Sequence, residues 1–156
     1  MYDILLSLHS LLRWIILFLL VLNLIRHFAA INRAFNGLDK QLGLWLMIAA
    51  HITLLIGLYQ WFAGSLGLPN ILHNGMSEVM QNPTYRFFAV EHAVGMLIAI
   101  TLITIARGVY RKQLPDGKKH RRCIVFYILA LVIILASIPW PGMEEISRPL
   151  FRNFLD

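Results

Sequence analysis

Four stretches of this sequence are apolar for long enough to cross a lipid bilayer, and that feature excludes most other folds. A membrane helix needs about 20 mostly apolar residues to span a hydrocarbon core roughly 30 Å thick. The runs at residues 4–25, 42–63, 87–105 and 124–138 meet or approach that length. Cys123 and Trp140 extend the last run into the interfaces. With their ends, the spans are expected at about 4–28, 41–64, 83–108 and 122–139. Lipid cannot hydrogen-bond an open backbone, so such runs fold as helices. Composition agrees, with 58% hydrophobic and 14% charged residues over 156 positions, against about 25% charged in soluble domains. The expected fold is all-α: one domain over residues 1–156, an integral membrane up-down four-helix bundle.

The first run is expected to be retained. A secretory leader opens with a basic segment and ends in small residues. Here the chain begins Met-Tyr-Asp, Arg26 follows the run, and His9 and Arg13 lie within it. Helix punctuation supports the other boundaries. Asn82-Pro83 is an N-cap followed by a first-turn proline. Gly37-Leu38-Asp39 opens the second span, and Ile138-Pro139-Trp140-Pro141-Gly142 stops the fourth, since each proline removes a helix donor.

Basic residues sort to one side. Arg26, Arg33 and Lys40 flank the first connection; Arg107, Arg111, Lys112, Lys118, Lys119, Arg121 and Arg122 flank the third. Arg86, Arg148 and Arg152 lie on the other side, with Asp3, Glu78, Glu144, Glu145 and Asp156. The positive-inside rule places the basic connections in the cytoplasm. Both termini and the 65–85 connection are then periplasmic, in a bacterial inner (cytoplasmic) membrane. The net charge of +6 is explained by orientation and anionic headgroups, so no nucleic acid is expected as a partner. The 65–85 connection mixes Leu72, Met76 and Met80 with polar residues, a pattern suited to a short amphipathic helix on the outer surface. His73 within it reads as a surface residue.

Ionisable groups inside spans are costly and by default functional. His9, Arg13, His51, Glu91 and His92 are such groups; His27 and His120 lie at the cytoplasmic edge and are expected to be interfacial. His9 and His92 differ in depth by roughly 3 Å at 1.5 Å per residue. They belong to the first and third spans, which are diagonal in an up-down bundle. That placement suits the two axial ligands of one b-type haem, a six-coordinate arrangement fitted to electron transfer. Gly95 is expected to leave room for the flat ring, and Met96 to pack on it. His51, nearer the bilayer centre, is the alternative ligand partner for His92 or a proton carrier. Arg13, one turn from His9, is expected to pair with Glu91 or a haem propionate, and Arg86 is a second propionate candidate. CxxCH, HExxH, phosphate loops and GxSxG are all missing from the sequence. Ser7, Ser10 and Cys123 lack a base partner, so no catalytic nucleophile is assigned.

Leu8-His9-Ser10-Leu11-Leu12-Arg13-Trp14, Ala50-His51, Arg86-Phe87-Phe88-Ala89-Val90-Glu91-His92 and Ile138-Pro139-Trp140-Pro141, with Arg148-Pro149-Leu150-Phe151 after them, form an ordered series. It resembles a family of small four-span bacterial membrane proteins commonly labelled cytochrome b-like, over nearly the whole chain. The resemblance implies a polar core of His9, His51, Glu91 and His92. The leading expectation is a membrane cytochrome b-like electron carrier, working with quinone or a larger respiratory complex, more an electron carrier or subunit than a stand-alone enzyme. Two alternatives stay open: a cofactor-free accessory subunit of a larger membrane complex, and a His/Glu metal or proton pathway.

Overall fold

The structure, a computed structural model, describes residues 2–150; Phe151, Arg152 and Asp156 lie outside the described residues. The regular elements among the described residues are all helices, and four of them are long and apolar enough to cross a membrane. Helix α1 is Tyr2–Ala29, α2 is Gly37–Ala63, α3 is Leu68–Gln81, α4 is Pro83–Arg111 and α5 is Asp116–Ser137.

Local chemistry sets the ends. Asn36 caps α2: its side-chain oxygen accepts from the backbone N–H groups of Leu38 and Asp39 at 3.1 and 3.3 Å, while Asp39 accepts from the Asn36 N–H at 2.8 Å. This reciprocal box satisfies orphan donors at the first turn. Asn82 caps α4 by accepting from Tyr85 N–H at 3.0 Å, with Pro83 in the first turn as expected. The 65–85 connection does form a helix, α3, bent at Gly75, whose φ of 80° needs a residue without Cβ. Helix α5 begins at Asp116 rather than near 122, one turn or more before its apolar run.

The long helices form a ring. Helix α1 packs on α2 and α5, and α4 packs on α2 and α5, leaving α1 and α4 on one diagonal. Ala50, Ala99 and Ala130 are fully buried along the axis beside Leu20, Leu46 and Ile103. Small residues there let the helices approach closely, as membrane bundles require. Phe18, Leu55, Phe62 and Val132 point outward and are exposed, a distribution suited to lipid. After α5 the chain folds over the end of the bundle that carries the N-terminus. Arg148 N–H bonds the Pro139 carbonyl at 3.2 Å, and the Thr84 hydroxyl bonds the Glu145 carbonyl at 3.3 Å.

Candidate functional site

His92 comes directly after a π-helical turn, Phe87–Glu91, inside α4. Such a turn inserts one residue into the α-helical register and rotates the helix beyond it. The His92 Nδ1 hydrogen-bonds the Ser137 carbonyl of α5 at 2.7 Å. That carbonyl is free because α5 stops at Ser137: Ile138, before Pro139, is extended, so no helical N–H follows to reach it. Two residues earlier, Pro139 cannot serve the Leu135 carbonyl, and the Trp140 indole N–H takes it at 2.8 Å. The Ile138–Pro141 segment therefore does more than stop a helix. It releases a carbonyl that orients His92. Since a carbonyl only accepts, His92 Nδ1 carries the proton and Nε2 presents a bare lone pair.

His9 lies opposite, against α2. A Cβ on Gly57 would sit 3.2 Å from His9 Cε1, so the missing side chain makes room for the imidazole. His9 Nδ1 is buried and makes no hydrogen bond. The rings of His9 and His92 are 6.2 Å apart between centroids and tilted by 57°. The expected meeting of diagonal helices α1 and α4 at these two residues is what the structure contains. Phe87 packs beside the pair, its ring 6.1 Å from His92.

The other expected members of the polar core are elsewhere. His51 is exposed on the outside of α2, with Nδ1 bonded to the Met47 carbonyl one turn back at 2.8 Å. Position 51 falls on a different face of α2 from the buried Ala50, and depth alone cannot distinguish faces. Glu91 is exposed and pairs with Arg86 at 2.7 Å, not with Arg13. Arg86 also donates to the Met80 carbonyl at 3.0 Å. Arg13 holds the C-terminal segment: it donates to the Leu150 carbonyl at 2.6 Å and to Ser10 at 3.2 Å, while its Nε is buried without a partner. Trp14 donates to the same Leu150 carbonyl at 3.1 Å. Gly95 does not leave room for a ring, because Ser137 fills that space; a Cβ there would overlap the Ser137 hydroxyl.

The second polar cluster was not expected. His27 and His120 are 2% and 0% exposed rather than interfacial, and their Nδ1 atoms are 2.8 Å apart. Phe35 stacks on His27 and Tyr127 flanks it. Asp39 lies beneath, its carboxylate fully buried and held by Arg26 at 2.7 Å and Arg33 at 3.3 Å. A signal was present: His27 continues the buried series Leu20, Asn23, Leu24 on α1, and His120 begins the series Cys123, Tyr127, Ala130, Ile134 on α5. Both are core-facing helical spacings.

Among the described residues no group of three or more His, Cys, Asp or Glu side chains converges as a metal cage would require. The four-residue His9, His51, Glu91, His92 cluster is therefore not assembled. No family model, curated protein or solved structure matches the chain.

Proposed function

We propose that this protein is a membrane electron carrier that binds one b-type haem between His9 and His92. The observation that carries the reading is the facing imidazole pair on diagonal helices, 6.2 Å between centroids. A metal–imidazole bond is about 2 Å long, so two imidazoles on opposite sides of one iron have centroids roughly 6 Å apart. The donor chemistry fits as well. His92 keeps a bare Nε2 because Ser137 takes its other nitrogen, the arrangement metal-ligating histidines adopt. His9 Nδ1 is buried against Gly57 of α2 without a hydrogen bond, and buried polar atoms are rarely left unsatisfied without a reason.

Bound there, the haem would supply reversible one-electron chemistry. The chain's own residues do the rest. Ser137 fixes the His92 tautomer, and Gly57 seats His9. Arg13 stands one turn from His9 with Nε unpaired and is the donor we assign to a propionate. Arg86, neutralised by Glu91, is not. The reading accords with the resemblance to cytochrome b-like four-span proteins. We place the chain in a bacterial inner membrane, with the basic connections cytoplasmic and the N-terminus outside. Reporter fusions to the 112–115 connection and to the 65–67 connection test this, with only the second expected to report an external location.

One observation favours a rival. His27 and His120 show that this bundle buries a histidine pair by direct hydrogen bonding alone, which is how an accessory subunit with a purely structural polar core would use His9 and His92. The reduced-minus-oxidised absorption spectrum of purified protein decides. A low-spin b-type signal, lost in His9→Ala and in His92→Ala and kept in His51→Ala, is expected. Folded protein without that signal would establish the rival.

A further inference from the structure

Three cations converge on one aromatic ring at the basic end of the bundle. Tyr110 stands in the last turn of α4. The Arg107 guanidinium lies 4.0 Å from the centre of its ring, that of Arg111 lies 5.3 Å away, and the Lys40 ammonium, from the first turn of α2, 5.8 Å. Arg111 Nε also donates to the Tyr110 hydroxyl at 2.8 Å. The negative face of the ring attracts each cation, but a neutral ring cancels no charge, and like charges gathered this closely repel. Among the described residues no carboxylate pairs with any of the three: Asp39 holds Arg26 and Arg33, and Asp116 holds Lys119. Arg107 Nε and Nη1 are, in addition, buried without a hydrogen-bond partner, which buried polar atoms seldom are.

The surroundings select the ligand. A cavity of about 10 Å3 beside Arg107 is lined by Lys40, Gly43, Tyr110 and Tyr127, with room for one water. An organic molecule does not fit between the helices there, so a ligand meets the cations from the outer side. Asp39 also borders the cavity, but Arg26, Arg33 and the Asn36 N–H occupy its carboxylate, and the local field stays positive. A carboxylate is planar and matches one guanidinium fork. A phosphate carries its oxygens on a tetrahedron and reaches donors from two helices at once. The site also lies where the apolar runs of α2 and α4 end, with Trp45 and Ile105 exposed further along the same helices. Basic pockets between membrane helices at that level bind phosphate-bearing headgroups.

We propose that Lys40, Arg107 and Arg111, gathered on Tyr110, bind one phosphate group where α2 meets α4, carried by an anionic lipid of that leaflet or free in the adjoining solution. The two guanidinium groups supply forked N–H donors to its oxygens, Lys40 supplies a compact charge, and Tyr110 holds the cations together before the ligand arrives. A diffuse attraction to anionic headgroups draws on every basic residue at this end alike. A site draws on these three, and the bound phosphate ties α2 to α4. The proposal is independent of the haem reading.

The test uses full-length protein in detergent. Native mass spectrometry follows retention of added phosphatidylglycerol or phosphatidylcholine, and thermal unfolding follows added inorganic phosphate. Phosphatidylglycerol is expected to bind about tenfold more tightly than phosphatidylcholine, whose own cation faces Lys40. Lys40→Gln and Arg111→Gln change exposed side chains and leave the fold intact; each should weaken binding about tenfold, the scale of one hydrogen bond to a charged group. Arg107→Gln should weaken it further. Lys118→Gln removes the same charge from an exposed position on α5 and should leave binding unchanged. Equal loss in Lys118→Gln, or equal retention of the two lipids, overturns the site in favour of diffuse charge. Inorganic phosphate identifies the source. A rise in Tm with phosphate, missing with chloride at the same ionic strength and missing in Lys40→Gln, supports a phosphate taken from solution. Lipid retention without that rise supports a headgroup. Binding of neither ligand overturns the proposal.

Discussion

The Nδ1 atoms of His27 and His120 stand 2.8 Å apart, joining α1 to α5 at the basic end of the bundle. One of the two must donate and the other accept, so the pair is one hydrogen bond between otherwise equivalent rings. Neither ring reaches solvent. Removing one partner strands the other. His27→Leu is expected to cost about 2 kcal/mol, the penalty for a buried unpaired polar group. For a chain of this size that lowers Tm by roughly 4–8 °C. Replacing both partners removes the stranded group, so His27→Leu/His120→Leu should be more stable than either single variant. Thermal unfolding of the three variants in detergent measures this. A double variant as unstable as the sum of the singles would show that packing, not the hydrogen bond, dominates.

Asp39 contributes to that end in two ways. It closes the capping box with Asn36, and its buried carboxylate holds Arg26 and Arg33. Losing a cap costs about 1 kcal/mol, and breaking a buried pair costs up to roughly 3–5 kcal/mol. Arg26 keeps some solvent contact, at 22%, which lowers that figure. Asp39→Ala is therefore expected to lose about 2–4 kcal/mol. Arg33→Ala should lose under about 1 kcal/mol, since its side chain is 43% exposed. Chemical unfolding of both variants gives the comparison.

The two ends of the bundle show how far sequence carries such a chain and where it stops. Span length and hydropathy place all four long helices, because lipid leaves the backbone no alternative. Asn82-Pro83 and Pro139 act at the ends as their chemistry dictates. Depth along the helices brings His9 and His92 together correctly. Depth does not supply rotation, and there the polar core goes astray. His51 and Glu91 turn outward, the latter within a π-helical turn that no hydropathy pattern marks. His27 and His120 turn inward although they sit among charged residues, because the apolar series on α1 and α5 continues through them. The link between His92 and Ser137 depends on where α5 stops, and it becomes visible only once α4 and α5 are side by side.

Arg13 and Trp14 both donate to the Leu150 carbonyl, tying the chain after α5 to α1. These bonds are at the surface, and the segment they hold is short of buried apolar contacts, so it opens independently of the bundle. Arg13→Ala is expected to change Tm by less than about 2 °C, the scale of a surface contact. The region after Ser147 should become cleavable by protease several times faster. Mass spectrometry of timed digests measures this directly. An unchanged cleavage rate would mean that Trp14 alone holds the segment, and Trp14→Phe in the same background would then release it.

Gly57 borders His9, and Gly95 borders Ser137, whose carbonyl holds His92, so their substitution separates packing from ligation. A Cβ at Gly95 would overlap the Ser137 hydroxyl and come 3.7 Å from Ile133. Ser137 also supplies the carbonyl that fixes His92. Gly95→Ala must rotate that hydroxyl or push α5 away, and overpacking of this kind costs about 1–3 kcal/mol. A Cβ at Gly57 meets only the edge of the His9 imidazole, at 3.2 Å, so Gly57→Ala should cost less in stability and act on His9 directly. Gly37→Ala, with nothing within 4 Å of the added carbon, is the control and should be neutral or slightly stabilising. In protein prepared with haem available, Gly95→Ala is expected to lower Tm and haem content together. Gly57→Ala should shift the reduced spectrum or lower occupancy severalfold with Tm nearly unchanged. Equal occupancy in Gly57→Ala and Gly37→Ala would place His9 outside the ligand set, because an imidazole bound to iron cannot yield to the added carbon without altering its bond.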